Sequence, residues 1–381
     1  MHPAAPDLNA VPGAWATVRV LTRVGGPTGG TAVAVDRRGG VHVVYGDSRS
    51  GGMVYARRTG PAWQIESVDA LGSVVGETPA ISLDARGSVH VVYAGPEGIR
   101  HGARTGGSWA VEAVDSAGRG TPALAVDPGG AVHVAYVADD GLRHATNRDG
   151  AWAIDLVDAL GGSPSLAVDQ TGTLHLSYAG TVRDQEVARY AAGTAGAWRV
   201  ETTSQTRSGP SSIVLDRTGH PRIAFAPRYI TDRGVVYLAR GAGGWSDSRV
   251  PTTDSVYSAS LRLDAQDEPR ILFSYLGDIV HAVRTADAWT TERLVIVGHH
   301  DVRPSFDLDA AGTAHVTSTT FFYPNDTSVE YSTNRQLAPD GVDQNCDGVD
   351  GVDADGDGHA SRWTGGDDCD DDDSGSPADC R

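Results

Sequence analysis

The chain of 381 residues contains no lysine and only three cysteines, and arginine is the only side chain with a permanent positive charge. No apolar run reaches the roughly 18 residues that a membrane-spanning helix needs, so we expect no transmembrane segment. The formal net charge of −18 argues against a nucleic-acid partner, because binding to phosphates requires clustered cations. Hydrophobic residues make up 40% of the chain, which is too many for a disordered protein.

The negative charge is concentrated at the C-terminal end. Residues 340–381 contain 14 Asp, no Glu and two Arg, which gives a formal charge of −12 and leaves −6 for residues 1–339. Cys346, Cys369 and Cys380 also lie in this segment, and their odd number predicts one disulfide and one free thiol. We therefore predict three parts: a leader (1–13), a folded body (14–339) and an acidic tail (340–381).

The folded body is a sevenfold repeat. Seven tryptophans recur about every 46 residues and seven aspartates about every 45, which is the spacing of propeller blades. Six residues after each aspartate stands a histidine or an arginine. The two series are Trp15, Trp63, Trp109, Trp152, Trp198, Trp245 and Trp289, and Asp36, Asp84, Asp127, Asp169, Asp216, Asp264 and Asp309.

The pattern of each repeat predicts four short strands joined by tight turns, as in residues 164–202. Gly172 stands at the turn position that is expected to have a positive φ. The last repeat, from Arg303 onward, lacks a tryptophan strand, whereas the strand around Trp15 precedes the first full repeat. Pairing these two leaves no open sheet edge. The predicted fold is all-β: a seven-bladed propeller closed by the N-terminal strand, followed by a tail with little regular secondary structure.

The repeat also resembles known propeller families. The Gly-x-Trp turns, such as residues 147–152, resemble degenerate Asp-box (BNR-like) turns of sialidase-like propellers. The Asp-x-x-Gly-x-x-His-Val-x-Tyr units resemble repeats of bacterial propellers that include certain polysaccharide lyases. The resemblance covers residues 14–339 and implies the fold. No sialidase catalytic residue can be matched, so none is carried over.

The acidic tail has the spacing of a calcium loop. Asp353, Asp355 and Asp357 occupy positions 1, 3 and 5 with glycine at position 6, so alternate carboxylates can converge on one ion. Asp343, Asn345 and Asp347 repeat this pattern, followed by Asp350, and Asp368, Asp370 and Asp372 form a looser third instance. Hard oxygen ligands favour Ca²⁺ over copper. The alternative interpretation is a solvated acidic run that binds nothing specific.

The tail is similar to the MopE-type acidic metal-binding repeat of secreted bacterial proteins and to thrombospondin type 3 calcium repeats. The resemblance rests on the Asp-Gly-Val-Asp-Gln-Asn-Cys-Asp-Gly stretch and on the two acidic stretches that follow it. It implies an extracellular or cell-surface location, which suits calcium modules of millimolar affinity. The first six residues lack the basic start and apolar core of a signal peptide.

The histidines and aspartates that recur in every repeat are interpreted as structural. His42, His90, His133, His175 and His315 recur once per blade on buried strands, and Arg222 and Arg270 replace them in two repeats. The repeated aspartates are expected to accept backbone N–H bonds within their turns.

Residues that depart from the repeat are the candidates for function. One loop contains His299, His300, Asp301 and Arg303, and another contains Arg228, Tyr229 and Asp232; we predict that both lie on one face of the ring. Arginine and tyrosine suit sugar acids, sulfates or peptide carboxylates. His299, His300 and Arg303 are the candidates for catalysis, with His299 as base and Arg303 neutralising a carboxylate.

Three functional hypotheses follow. The first is a secreted or surface-attached, monomeric binding scaffold that recognises a glycan or protein, with a calcium-binding tail. The second is a polysaccharide lyase or glycosidase whose active site lies on the same propeller face. The third is a protein that sequesters calcium or copper in its tail.

Overall fold

The computed structural model describes most of the predicted propeller body and none of the tail. The described residues are 15–25, 29–47, 50–59, 62–70, 78–204, 208–227, 234–252, 256–275, 278–285, 288–294, 304–322 and 326–334. Within them the chain forms 28 β-strands, β1 to β28, arranged in seven four-stranded antiparallel sheets. No helix long and apolar enough to cross a bilayer occurs in this part of the chain.

Six blades are formed by consecutive strands, and in each of them the chain runs from the innermost strand to the outermost. Blade 1 has β2 (Thr31–Val35), β3 (Val41–Asp47), β4 (Gly52–Arg58) and β5 (Trp63–Ala70). Blade 2 has β6 (Ala80–Leu83), β7 (Val89–Gly95), β8 (Gly98–Thr105) and β9 (Ser108–Asp115). Blade 3 has β10 (Arg119–Val126), β11 (Val132–Ala138), β12 (Gly141–Thr146) and β13 (Ala153–Asp158).

Blades 4 to 6 follow the same order. Blade 4 has β14 (Gly161–Val168), β15 (Leu174–Val182), β16 (Gln185–Thr194) and β17 (Ala197–Ser204). Blade 5 has β18 (Ser208–Leu215), β19 (Pro221–Pro227), β20 (Val235–Gly241) and β21 (Gly244–Val250). Blade 6 has β22 (Val256–Leu263), β23 (Pro269–Tyr275), β24 (Asp278–Thr285) and β25 (Ala288–Leu294).

Blade 7 combines the two ends of the propeller, as the sequence predicted. Its inner three strands are β26 (Ser305–Leu308), β27 (Ala314–Phe322) and β28 (Asp326–Thr333), and its outermost strand is β1 (Ala16–Gly25). β1 pairs antiparallel with β28 from Ala16 opposite Thr333 to Gly25 opposite Asp326. Since β26 also contacts β2 of blade 1, the ring is closed.

The hydrophobic core is divided into seven clusters that lie between neighbouring blades rather than at one centre. The cluster between blades 7 and 1, for example, includes Val20, Val43, Tyr45 and Val329, each no more than 5% exposed. A four-stranded sheet has two apolar faces, and stacking in a ring buries both.

Each interface contains one tryptophan that packs edge-on against an aromatic ring of the preceding blade. Ring centroids are 5.2 to 5.7 Å apart, and interplanar angles are 71 to 81°. This geometry is the favourable edge-to-face arrangement of aromatic pairs. The seven pairs are Trp63–Tyr331, Trp109–Tyr55, Trp152–His101, Trp198–His144, Trp245–Tyr190, Trp289–Tyr237 and Trp15–His281.

The first two strands of every blade are joined by the same five-residue turn, which begins at the repeated aspartate. In blade 1, Oδ1 of Asp36 accepts the backbone N–H groups of Arg38 and Gly40, and Gly39 has a φ of 80°. These side-chain bonds confirm that the aspartates are turn residues. Blade 6 differs, because Asp267 takes the left-handed position with a φ of 62°. We call the side of the ring that carries these seven turns the Asp-turn face.

The innermost strands are sheet edges that face the central channel, and polar side chains cover part of these edges. The hydroxyl of Ser165 accepts the N–H of Ile213 in the next blade, and Ser212 does the same for Leu261. In blade 7, Ser305 accepts the N–H of Val33 in blade 1. Such contacts satisfy backbone groups that an open edge would leave unpaired.

Removing β1 tests the closure of the ring. Deletion of residues 1–25 removes Trp15 and Val20 and exposes Val329 and Tyr331 on β28, so we expect a loss of unfolding free energy on the order of 5 kcal/mol. The unpaired edge of β28 should also promote self-association. Urea unfolding and light scattering measure both effects, with deletion of residues 1–12 as control. Equal unfolding midpoints for the two deletions would contradict the role of β1.

Candidate functional site

The loop residues predicted as a ligand site lie outside the described residues. These are Arg228, Tyr229, Asp232, His299, His300, Asp301 and Arg303. The strands that flank both segments are described: β19 ends at Pro227 and β20 begins at Val235, and β25 ends at Leu294 and β26 begins at Ser305. The antiparallel topology puts all four of these strand ends on the side opposite the Asp turns, which we call the loop face.

The predicted metal ligands of the tail also lie outside the described residues. They are Asp343, Asn345, Asp347, Asp350, Asp353, Asp355, Asp357, Asp368, Asp370 and Asp372. Within the described ranges of the propeller, no group of three or more His, Cys, Asp or Glu side chains could hold a metal ion. The calcium site therefore stays a prediction for the tail alone.

The repeated histidines are buried and hydrogen-bonded within their own blades, as the sequence predicted. Nδ1 of His42 lies 2.6 Å from the hydroxyl of Tyr55, and His175 and His315 make the same contact with Tyr190 and Tyr331. His90 and His133 instead contact a second histidine on the third strand. These pairs join adjacent strands and are too deeply buried to reach a ligand.

Blade 3 shows the most complete polar chain. Asp155 can only accept, so Nδ1 of His144 donates to it at 2.9 Å, and the unprotonated Nε2 of His144 accepts from Nδ1 of His133 at 3.0 Å. Nε2 of neutral His133 is then unprotonated, so its approach to Asp127 at 3.5 Å is not a hydrogen bond, and Arg148 donates to Oδ2 of Asp127 instead. The carboxylate of Asp155 also accepts the indole N–H of Trp198 from blade 4. One chain of polar groups thus crosses the blade and joins the next.

Burial lowers the pKa values of His90 and His133, so both are neutral near pH 7. Burial, reinforced by the neighbouring His144, lowers the pKa of His133 to about 4, and burial with His101 does the same for His90. Burial by itself raises the pKa of Asp127, but the N–H of Ala131 and the cationic form of His133 outweigh it and lower that pKa. These buried histidines and their partners therefore pair adjacent strands. His90 and His133 are not suited to proton transfer near neutral pH.

The third-strand histidines His101, His144 and His281 were missed by the sequence analysis. They follow the second-strand position by 11 residues, and the acids Glu112, Asp155 and Glu292 follow after 11 more. This double spacing of 11 residues is the sequence pattern from which the third-strand histidines could have been predicted. It is harder to see than the aspartate series, because other blades place tyrosine at the third-strand position.

A second set of polar clusters lies nearer the loop face, at three consecutive interfaces. Between blades 1 and 2, Asp69 accepts the hydroxyl of Tyr93 at 2.6 Å and the guanidinium of Arg100 at 2.9 Å. The next two interfaces repeat this cluster with Asp115, Tyr136 and Arg143, and with Asp158, Tyr178 and Arg189. Burial, and then Asp69, raise the pKa of Tyr93.

The remaining interfaces lack this cluster. Phe225 and Phe273 replace the tyrosine in blades 5 and 6, and Ser318 replaces it in blade 7. Tyr45 of blade 1 keeps the tyrosine but has no arginine opposite it, since Val54 stands there. Its buried hydroxyl has no hydrogen-bond partner among the described residues. The loop-face side of the ring is therefore polar between blades 1 and 4 and more apolar at blades 5 and 6.

Among the connections of the ring, the Asp turns alone keep one length in every blade. On the Asp-turn face, the first two strands of each blade are joined by five residues in all seven blades. On the loop face, the outermost strand is joined to the next inner strand by two to ten residues. The longest loop-face connections are residues 71–79, 228–234 and 295–304. The second and third of these contain the ligand residues predicted from the sequence, and the first was not predicted.

The central channel forms a cavity of about 1540 Å³ in its half next to the Asp turns. Its wall is built from inner-strand residues of all seven blades, together with the arginines Arg37, Arg38, Arg86, Arg217 and Arg262. Arg217 pairs with Asp267 at 3.0 Å, and Arg262 pairs with Asp307 at 2.8 Å. This cavity lies at the end of the channel opposite the predicted ligand loops.

No protein-family model and no curated protein matches this chain. Solved structures do resemble its fold. An inactive variant of virginiamycin B lyase from Staphylococcus aureus, solved with quinupristin, has a TM-score of 0.60 at 13% identity and is matched over 84% of this chain and 99% of its own. Ulvan lyase, a polysaccharide lyase solved with a GlcA(1-4)Rha3S ligand, has a TM-score of 0.57 at 12% identity, with 84% and 94% covered.

A protein of unknown function from Dyadobacter fermentans is also similar, with a TM-score of 0.52 at 11% identity over 84% of this chain and 97% of that one. At these identities the similarity shows the propeller fold alone. The specific resemblance to sialidase Asp-box repeats stays a prediction, because the matched structures share architecture rather than sequence.

The buried histidine pairs predict a loss of stability in mild acid. A histidine with a pKa of about 4 in the fold and about 6.5 when unfolded binds fewer protons in the folded state. Its stabilising contribution is thus complete above pH 6.5 and is lost as the pH falls towards 4, by about 3 kcal/mol for each histidine. Chemical unfolding at a series of pH values between 7 and 4 measures this loss.

A single substitution tests whether the pairing is the cause. His144→Tyr gives blade 3 the His–Tyr pair that blades 1, 4 and 7 use, so His133 no longer faces a second imidazole. The fall in unfolding free energy between pH 6.5 and 4 should become smaller. His220→Gln, at an exposed turn position, should leave this fall unchanged. Parallel pH profiles for wild type and His144→Tyr would refute the assignment.

Proposed function

We propose that this chain is a propeller-based binding protein that presents its loop face to a glycan or protein ligand. The observation that carries the proposal is the contrast between the Asp turns, which keep one length in all seven blades, and the loop-face connections, three of which have seven to ten residues. Repeated positions must satisfy the same packing in every blade, so residues free to recognise a ligand are found where the blades differ. Binding residues in scaffold folds concentrate in such loops.

The chemistry of the variable loops favours an anionic ligand. Two of the three longest loop-face connections contain arginine: one has His299, His300 and Arg303, and the other has Arg228 and Tyr229. Arginine forks bind carboxylates and sulfates through paired hydrogen bonds, and tyrosine adds a flat apolar surface with a polar end. Acidic or sulfated sugars, or a peptide rich in carboxylates, fit this combination.

A lyase is the second candidate, supported by the two structurally similar lyases. Elimination from a uronate needs a base near the sugar and a cation beside its carboxylate, roles that His299 and Arg303 can fill. The two candidates differ in outcome: a lyase generates unsaturated uronyl ends, which absorb in the ultraviolet, whereas a binding protein leaves the polysaccharide intact.

We further propose that the tail is a calcium-binding module and that the protein works outside the cell or on its surface. The support is the alternating carboxylate spacing around Asp353, Asp355 and Asp357. Without a cation these carboxylates repel one another, and a bound cation removes this repulsion. Sequestration of copper is disfavoured because the ligands are hard oxygens.

Ligand binding is tested by titrating the full chain with acidic and neutral oligosaccharides in a calorimeter. We expect acidic sugars to bind and the substitution His299→Ala with Arg303→Ala to weaken binding about tenfold to a hundredfold, as for the loss of charge-assisted bonds. His220→Ala with Arg217→Ala, on the Asp-turn face, is the control. Equal affinities for both double variants would place binding elsewhere, and release of unsaturated uronate would establish the lyase.

Calcium binding is tested on the full chain by calorimetry, with an expected dissociation constant of roughly 0.1 to 1 mM. Changing Asp353, Asp355 and Asp357 to asparagine should remove at least one binding event. A matched control changes Asp371, Asp373 and Asp379 to asparagine, which alters the charge equally outside the alternating pattern. The same loss in both triple variants would indicate diffuse attraction of cations rather than a site.

A further inference from the structure

Blade 6 presents an aromatic side chain to solvent on the loop face. Tyr257 is 65% exposed, and it is the one exposed Phe, Trp or Tyr among the side chains that the structure describes. Its hydroxyl has no hydrogen-bond partner among these residues. Single exposed apolar side chains are common on protein surfaces, so the position of Tyr257 in the fold is what distinguishes it.

Tyr257 lies where the innermost strand of blade 6 begins. β22 starts at Val256 on the loop face, ends at Leu263 before the Asp turn and borders the central channel. Tyr257 is therefore at the loop-face mouth of the channel, at the end opposite the cavity of about 1540 Å³. Pro210 is exposed at the same end of β18, the neighbouring innermost strand in blade 5. Two exposed apolar side chains thus lie on adjacent blades at this mouth.

Four other blades have glycine at the position of Tyr257. This position precedes the turn aspartate by seven residues. The glycines are Gly29, Gly120, Gly162 and Gly209. Glu77 and Val302 stand there in blades 2 and 7 and lie outside the described residues. Since glycine has no side chain to offer a ligand, Tyr257 is a departure from the repeat that adds a contact surface.

A β-bulge holds the backbone of Tyr257 in place. Val256 pairs with Tyr275 and Ser258 pairs with Ser274, so Tyr257 is the extra residue between them. On one side, Val256 is 5% exposed and packs in the core cluster between blades 5 and 6. On the other side, the hydroxyls of Ser258 and Ser274 are 3.0 Å apart and share a hydrogen bond. Bulges redirect side chains and are frequent beside functional sites, and an anchored backbone lowers the entropic cost of binding.

The surroundings of Tyr257 favour stacking rather than ion pairing. Phe225 and Phe273 replace the tyrosine of the Asp–Tyr–Arg clusters in blades 5 and 6, so this type of charged cluster is missing beside Tyr257. The face of an aromatic ring is partially negative and attracts the partially positive hydrogens of C–H groups. A pyranose ring has such a C–H face and carries hydroxyls at its edge, so it can stack on tyrosine while its edge stays hydrated.

We propose that Tyr257 is a stacking platform for a pyranose ring of a glycan that binds across the loop-face mouth of the channel. Pro210 extends the apolar surface towards blade 5. This assignment rests on the proposed binding function and makes it more specific, because it names a saccharide rather than a peptide as the ligand. Stacking does not require a charged ligand, so it serves neutral and acidic sugars alike.

The assignment is tested by calorimetric titration of the full chain with hexagalacturonate, cellohexaose and hexaglutamate. The first and third probes both carry side-chain carboxylates, but only the two saccharides contain pyranose rings. Tyr257→Ala should weaken saccharide binding about fivefold to tenfold, whereas Tyr257→Phe keeps the ring and should change it by no more than about twofold. Leu156→Ala is the control, because it removes a side chain that is 47% exposed on the outermost strand of blade 3.

Nuclear magnetic resonance of the bound saccharide gives a second readout. Sugar protons that lie over the ring of residue 257 should shift upfield with wild type and with Tyr257→Phe, but not with Tyr257→Ala. The unfolding midpoint in urea should be the same for wild type and Tyr257→Ala, because the side chain is exposed. A lower midpoint would indicate a structural role instead and would overturn the assignment.

The three probes separate the possible failures. Equal affinities of wild type and Tyr257→Ala for a saccharide that the wild type binds overturn the stacking role and leave the proposed binding function intact. Equal losses in Tyr257→Phe and Tyr257→Ala also overturn it, since the contact would then be made by the hydroxyl. An equal loss of hexaglutamate binding in Tyr257→Ala would indicate a peptide ligand. A wild-type chain that binds neither saccharide contradicts both the stacking role and glycan recognition.

Discussion

The edge-on contact between each tryptophan and a ring of the preceding blade is the interaction on which the rest of the structure depends. A four-stranded sheet with two apolar faces is stable in this ring only when it packs between two other blades. Every blade interface must therefore form, and the last blade must pack against the first. Trp15 and Trp63 make the contacts on either side of blade 7, against His281 and Tyr331. Closure by β1 follows from this requirement, because without that strand blade 7 lacks its own tryptophan.

The same requirement explains why so many polar groups are buried without forming a functional site. Buried polar groups must be paired, and in this ring they are paired along strands and across blade interfaces. The chain from His133 through His144 to Asp155 joins three strands of blade 3, β11 to β13, and reaches Trp198 of blade 4. Such networks fix the register of the strands, because a shift of one residue would leave each member unpaired.

The two faces of the ring differ because they are under different constraints. The Asp turns share one length and one hydrogen-bond pattern in seven blades, and charge varies only at their exposed tips. Loop-face connections vary in length and contain the residues that depart from the repeat. The residues that distinguish one blade from another are therefore concentrated on the loop face. The structural similarity to lyases establishes the propeller architecture alone.

The sequence by itself determined the number of blades, the closing strand and the role of the turn aspartates, because each is a local pattern repeated at a fixed spacing. It also separated the acidic tail, since composition is local too. Only the tertiary structure decided which ring each tryptophan meets, that His90 and His133 pair with third-strand histidines, and that Tyr45 lacks the partner found for Tyr93. It alone put Tyr257 in a β-bulge at the mouth of the channel. These contacts and positions involve residues from different strands or blades. They depend on the direction and register of the strands, which cannot be read from a single repeat.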